Sequence, residues 1–266
     1  MKIKGLIFFT MLLLATVAYG QSEADELAKQ LQNPVASLIS VPFQGNYDWG
    51  FDPENGSRLT INVQPVYPMS LSEDWNLILR VIMPVISQTD VYGDSGNQFG
   101  LGDAVVSGFF SPKEPTAGGL IWGVGPAILV PTATDELLGA EKWGVGPTAV
   151  ALKQIGSNTV GVLVNHIWSV AGDDDRADVG STFFQPFIAH NFSGGYALAV
   201  NTELTQNWEA DATAGFINIV GSKVITIGGS QMAQLLFGPR IPYGGANNAD
   251  FGIRAGLVLL FPASTN

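Results

Sequence analysis

Arg58-Leu59-Thr60-Ile61-Asn62-Val63-Gln64 alternates residue by residue: Leu59, Ile61 and Val63 fall on one face of an extended chain, and Arg58, Thr60, Asn62 and Gln64 on the other. Successive side chains of a β-strand point to opposite sides of the sheet, so this stretch predicts a strand between two unlike environments. In a soluble barrel or sandwich the apolar face would be the core. In an outer-membrane barrel it would face lipid, and the polar face would line the lumen. The function hangs on which applies.

The pattern recurs to either side. Residues 43–51 alternate Phe43, Tyr47, Trp49 and Phe51 with Gln44, Asn46 and Asp48. Residues 75–85 set Leu77, Leu79, Val81 and Met83 against Asn76 and Arg80. Further strands are predicted at 100–110, 120–130, 143–153, 160–170, 182–191, 196–205, 215–226, 233–239 and 251–261, about twelve with 58–67 included. An even count returns both chain ends to one side, as single-chain bacterial barrels require. The odd-numbered connections, 52–57, 89–98, 132–141, 171–178, 206–213 and 241–250, hold 14 of the 23 acidic residues and one basic residue, Arg176. Such sorting would not survive a strand count wrong by one, because loops and turns would change places midway. Trp122-Gly123-Val124-Gly125-Pro126 recurs as Trp143-Gly144-Val145-Gly146-Pro147, a repeat too short to establish hairpin duplication.

The N-terminus bears on the compartment. Lys2 and Lys4, an apolar run over 5–17 and Ala18-Tyr19-Gly20 predict a cleaved signal peptide over 1–20, with the mature chain starting at Gln21. Residues 21–34 are expected to form a short periplasmic helix, with Ser22 as cap and Leu27 and Leu31 on one face, and 35–266 the barrel. The helix either enters the barrel mouth, lies on its rim or stays outside as a frayed tail. No later stretch approaches the roughly 18 consecutive apolar residues of a membrane helix, so insertion in lipid would require a closed barrel. The chain has no cysteine. Its 12 basic and 23 acidic residues give a net charge of −11, which argues against a nucleic-acid partner. Only 13% of residues are charged, against about a quarter in soluble proteins, and mean hydropathy is +0.24.

Several ordered segments carry a resemblance. They are 33–44 (Asn-Pro-Val-Ala-Ser-Leu-Ile-Ser-Val-Pro-Phe-Gln), Gln64-Pro65-Val66-Tyr67-Pro68, Glu73-Asp74-Trp75-Asn76-Leu77-Ile78, Gly100-Leu101-Gly102-Asp103, Phe109-Phe110-Ser111-Pro112 and Gln185-Pro186-Phe187. Together they resemble the transporter family named after the meta-pathway of phenol degradation, whose members often bear the misleading bacterial label "neuromedin U". The resemblance spans nearly the whole mature chain. It implies an outer-membrane β-barrel of a Gram-negative cell that transports small molecules, aromatic ones included, and it assigns no catalytic residue. The tail 262–266 departs from barrels that end on an aromatic.

Alternation places Gln44, Asn46, Asp48, Arg58, Asn62, Gln64, Arg80, Asn201, Glu203, Gln234, Arg240 and Arg254 on the inner face, with Asp103 beside them, as candidates to line a pore. Thr60, Asn76 and Gln185 belong to the same face. Arginines opposite acids would sort permeants by charge; the same groups could instead pair and fill the lumen. Twelve strands lie between side-chain-filled barrels of eight and water-filled ones of 16 to 18, so the count leaves this open. Pro65, Pro84, Pro126, Pro147, Pro186 and Pro239 each remove a ladder donor, and two readings follow: bulges that set curvature, or kinks that open a lateral gap. Asp173-Asp174-Asp175-Arg176-Ala177-Asp178 lacks the spacing of a calcium loop and reads as a solvated acidic loop. His166 and His190 accompany no nucleophile or metal motif, so neither catalysis, a metal nor a cofactor is expected. Trp75, Trp122, Trp143, Trp168 and Trp208, with Tyr67, Tyr92, Tyr196 and Tyr243, sit near strand ends, where membrane girdles stand.

The expectation is an all-β outer-membrane barrel that gives small solutes, aromatic or apolar ones among them, a narrow passage, with lipid and solute as its partners. The alternatives are a non-conducting structural or interaction barrel and a lipid hydrolase.

Overall fold

The structure, a computed structural model, describes residues 23–245 and 249–261. The expected signal peptide, Ser22 and the tail beyond Phe261 lie outside the described residues. Fourteen strands form one sheet: β1 (Ile39–Phe51), β2 (Gly56–Val63), β3 (Val66–Ser70), β4 (Trp75–Thr89), β5 (Asn97–Leu101), β6 (Ala104–Pro112), β7 (Leu120–Val130), β8 (Lys142–Ile155), β9 (Asn158–Gly172), β10 (Gly180–Asn191), β11 (Tyr196–Asn207), β12 (Ala212–Ile227), β13 (Gln231–Tyr243) and β14 (Phe251–Phe261). All pairs are antiparallel, and β14 pairs with β1 from Ile39↔Phe261 to Trp49↔Phe251, which closes the sheet. β2 and β3 lie end to end along β4, and β5 and β6 do the same on its other side. The fourteen segments therefore make twelve staves, the number read from the alternation. No helix among the described residues is long and apolar enough to cross a membrane.

The prolines explain both the broken staves and the irregular pairing. Pro65 stands between β2 and β3, and Pro84 stands opposite the β5–β6 break, where its carbonyl accepts from Gly102 N at 2.9 Å. Pro126, Pro147, Pro186 and Pro239 remain inside continuous strands. Each interrupts pairing on one side only: β7 with β6, β8 with β9, β10 with β11, and β13 with β12. On the other side the register runs straight through, as in Pro126↔Pro147 and Pro239↔Ile253. A strand that cannot donate at one position loses that rung and no more.

The interruptions do not open the wall. Three of these prolines follow a glycine, and a Cβ on Gly125, Gly146 or Gly238 would stand 1.8, 1.7 or 1.8 Å from the carbonyl oxygen of Gly108, His166 or Ile219 on the next strand. The backbones meet there so closely that only glycine fits. A lateral gap is thus absent at Pro126, Pro147 and Pro239.

Side chains divide by face. Large apolar groups such as Ile61, Phe110, Phe184, Ile188 and Phe237 stand exposed on the outer wall, Phe237 at 61%. Aromatics mark the rims. Trp75 and Trp122 meet edge to face at 5.8 Å near the rim that carries the chain ends, and Trp143, Trp168 and Trp208 stand exposed toward the opposite rim.

The residues before β1 enter the barrel. Residues 23–30 form a helix, inside the expected 21–34. Leu27, Leu31 and Ala36 pack against Leu38, Val258 and Leu260, and Val35 joins Ile78, Phe109, Val150, Leu152 and Leu163 in a buried cluster. Gln154 Nε2 donates to Lys29 O at 3.0 Å, and Gly195 N to Asp25 Oδ1 at 2.6 Å. Of the three positions expected for this segment, it takes the barrel mouth.

The tight glycine seams give a direct test. Gly146→Ala should destabilise the folded barrel by about 1–3 kcal/mol or more, since an inserted methyl must displace backbone. Gly221→Ala, whose Cβ would meet nothing nearer than Phe237 O at 3.8 Å, should change little. Urea unfolding of the two variants in detergent, followed by tryptophan fluorescence, measures the difference.

Candidate functional site

The alternation that builds the wall also builds the lumen. Gln44, Asn46 and Asp48 project inward at every second position of β1, as do Arg58, Thr60 and Asn62 on β2. Two cavities lie end to end along the axis. The outer one, about 610 Å³, is open toward the far rim, and the inner one, about 260 Å³, is floored by Gln30, Leu31, Gln32, Asn33 and Pro34 of the N-terminal segment. Gln44, Gln64, Arg80 and Gln185 line both and form the septum between them.

Of the residues read as inward, Asn46, Asp48, Arg58, Thr60, Asn62, Glu203, Arg240 and Arg254 line the outer cavity. Asn201 and Gln234 line the inner one. Asp103 is placed differently. It stands at the β5–β6 break and lines neither cavity; its carboxylate accepts from Ala133 N at 3.1 Å and Ala140 N at 2.6 Å, and so holds the 131–141 loop. Asn76 is also taken up elsewhere, donating to Ser37 Oγ at 2.9 Å.

One half of the lumen wall is a lattice of charge-assisted hydrogen bonds. Arg240 Nε donates to Asp48 Oδ1 at 3.0 Å and Nη1 to Glu203 Oε2 at 2.6 Å, while Arg254 Nη2 reaches both Glu203 oxygens at 2.9 Å. Asn46 accepts from Arg254 Nε at 2.7 Å, and Asn218 from Arg240 Nη1 at 3.2 Å. Phe216 lies 3.3 Å beneath the Arg240 guanidinium, a cation–π contact. The lattice depends on one small residue. Gly252 is the register partner of both Asp48 and Arg240, and a Cβ there would fall 2.1 Å from Asp48 Oδ1. Arg240 crosses β14 through the space that Gly252 leaves.

The other half of the wall is mostly apolar, with Ser107, Thr148, Asn165 and Ser181 set among hydrocarbon side chains. Ile82, Val105, Phe109, Leu129, Leu163, Ile167 and Phe183 face the outer cavity from β4 and β6 to β10. Sequence reading missed this half because these strands are apolar on both faces, so alternation is silent: Leu163 lies between Val162 and Val164, and Phe183 beside Phe184. It also missed Phe216 and Asn218, whose roles depend on which arginine reaches across the sheet.

At the far rim, Arg176 Nη2 donates to Glu136 O and Gly139 O, both at 2.6 Å, joining the 173–179 loop to the 131–141 loop. Asp178 accepts from Ser169 Oγ at 3.0 Å and pairs with Lys142 at 3.4 Å. The Ser169 hydroxyl, followed by Lys142, holds its carboxyl below the usual aspartate range. Outside the lumen, His166 Nδ1 lies 2.7 Å from Thr182 Oγ1 and its ring 4.0 Å from Trp168. Among the described residues no three histidines or carboxylates converge as metal ligands.

No family model matches the chain, and no curated protein does. Among solved structures, an outer-membrane channel from Pseudomonas putida F1 superposes with a TM-score of 0.67 at 15% identity, covering 85% of this chain and 96% of that one. Outer membrane phospholipase A from Escherichia coli follows at 0.49 and 15%, covering 85% and 91%. The first shares the fold of a closed barrel; the second is too distant to bear on activity.

The lattice predicts its own sensitivity. Glu203→Gln leaves Asp48 bonded to Arg240 and removes the carboxylate that Arg254 pairs with, and should cost toward the lower end of about 3–5 kcal/mol, because lumen water offsets part of the loss. A double-mutant cycle with Arg254→Gln, read by denaturant unfolding, should show coupling between the two sites.

Proposed function

We propose that the chain is an outer-membrane barrel whose lumen gives small solutes a narrow passage. The observation that carries this reading is the pair of cavities in series along the barrel axis, divided by side chains and floored by one short segment rather than by sheet. Side chains and a short segment packed in the mouth can shift; a barrel wall cannot. The uncovered apolar outer wall supports a lipid setting, since a closed barrel satisfies its backbone internally and needs only acyl chains around it. The resemblance to the phenol-pathway transporter family agrees, and the fold is that of a solved outer-membrane channel. Export through a cleaved leader into a Gram-negative envelope belongs to the same proposal.

A second reading has its own observation. The Asp25 and Gln154 contacts seat the helix firmly, and Gln44, Gln64, Arg80 and Gln185 stand across the lumen as a septum, which favours a barrel that conducts nothing. Planar-bilayer recordings decide between them. The passage reading expects small, brief currents that rise when Asp25→Ala and Gln154→Ala together loosen the helix. Well-folded protein with no flux of ions or small solutes in either form would favour the structural barrel. The lipid setting is tested separately: Ile61→Arg should lower stability in vesicles by about 2–4 kcal/mol if that residue meets the middle of a bilayer, and little if the barrel is soluble.

A further inference from the structure

We propose that the outer cavity is a binding site for a carboxylate carried on an apolar body, with Arg80 as the group that holds the carboxylate. Four arginines line this cavity, Arg58, Arg80, Arg240 and Arg254, against two carboxylates, Asp48 and Glu203. Arg240 and Arg254 take up both. Among the described residues, neither Arg58 nor Arg80 has a carboxylate within ion-pair distance. Arg58 is occupied at the rim: its Nε donates to Gln88 Oε1 at 2.8 Å, its Nη2 to Tyr92 Oη at 3.1 Å, and Phe51 and Tyr92 each flank it at 5.5 Å. Arg80 is the cation left over. Its Nη2 donates to Gln64 Oε1 at 2.7 Å, one bond for a group with five N–H donors, and it lines both cavities at the septum.

What surrounds Arg80 defines the rest of the ligand. On β4 its inward neighbours are Ile78 and Ile82; across the ladder, Ser107 pairs with Arg80, Phe109 with Ile78 and Val105 with Ile82. Arg80 thus stands at the seam between the polar lattice and the apolar wall, with Leu163 and Phe183 also on that wall. A guanidinium in this position accepts a carboxylate in two parallel hydrogen bonds, and the apolar wall takes the attached hydrocarbon out of water. The volume, about 610 Å³, lies within the roughly 300–1,000 Å³ typical of small-molecule sites. An amine would meet surplus positive charge, and a neutral amide would leave the guanidinium only the more distant Glu203, which Arg240 and Arg254 already engage. The acidic loops at the far rim do not cancel this preference, since charges beyond about 8 Å are largely screened at physiological salt.

This deepens the passage reading by naming a ligand class, but binding and flux are separate measurements. Isothermal titration of the intact protein in non-ionic detergent, with protein-free micelles as blank, would compare 4-tert-butylbenzoate, 4-tert-butylbenzamide and 4-tert-butylbenzylamine at pH 7. The acid should bind at least about tenfold more tightly than the amide, and the amine weakest. Arg80→Gln should abolish the preference for acid over amide, Arg80→Lys should keep part of it, and Phe183→Ala should weaken acid and amide alike. Equal binding of acid and amide to the unaltered protein overturns the proposal without any variant, as does a preference that survives Arg80→Gln. Acid binding without flux would remove the passage and leave the site; flux without acid preference would remove the site alone.

Discussion

Closure of β14 onto β1 is the constraint on which the rest of the molecule depends. Eleven register pairs from Ile39↔Phe261 to Trp49↔Phe251 leave the sheet without an edge, so backbone groups find partners within the wall. Only then can the outer face be largely apolar and the inner face carry arginines. Closure also places β1 and β14 side by side, which brings Asp48 within reach of Arg240, 192 residues away in the chain. The lumen chemistry is therefore a product of the ring and not of any local segment.

The lumen is two-sided. From β1 through β14 to β11 the interior is a hydrogen-bonded lattice in which Asp48 and Glu203 are shared among arginines. From β4 to β10 it is a mostly hydrocarbon wall, broken by Ser107, Thr148, Asn165 and Ser181 and continuous with the buried cluster around Phe109 and Val35. Arg80 stands where the halves meet. A uniformly polar lumen would favour ions and sugars, and a uniformly apolar one would exclude water; the seam favours a solute that is itself two-sided.

Much of the fold was legible because one physical rule, alternation between unlike environments, operates on nearly every stave. It gave the stave number, the common rim for both ends and the inward direction of Asn46, Asp48, Glu203, Arg240 and Arg254. It failed where that rule is silent. Strands with apolar residues on both faces hid Phe183 and Leu163. Asp103 satisfies the alternation but lies at a break, where its carboxylate is worth more as an acceptor for loop amides than as a lumen charge. Strand ends were read short, as for β13, which runs to Tyr243 rather than Pro239, because pairing continues past the last clear alternation. The prolines could not be placed from sequence, since whether a missing donor matters depends on which neighbour it faces.

The N-terminal helix has a consequence for how the molecule is made. It immediately precedes β1, one of the two strands that seal the ring, and its apolar face packs on β14, the other. Sealing joins the first and last strands across more than 200 residues of chain, a contact that forms late because of its sequence separation. The helix is tethered a short stretch of chain from that seam, so closing the ring also brings the stopper to the mouth it occupies. It reaches its seat from the open end, and no passage through a finished wall is needed.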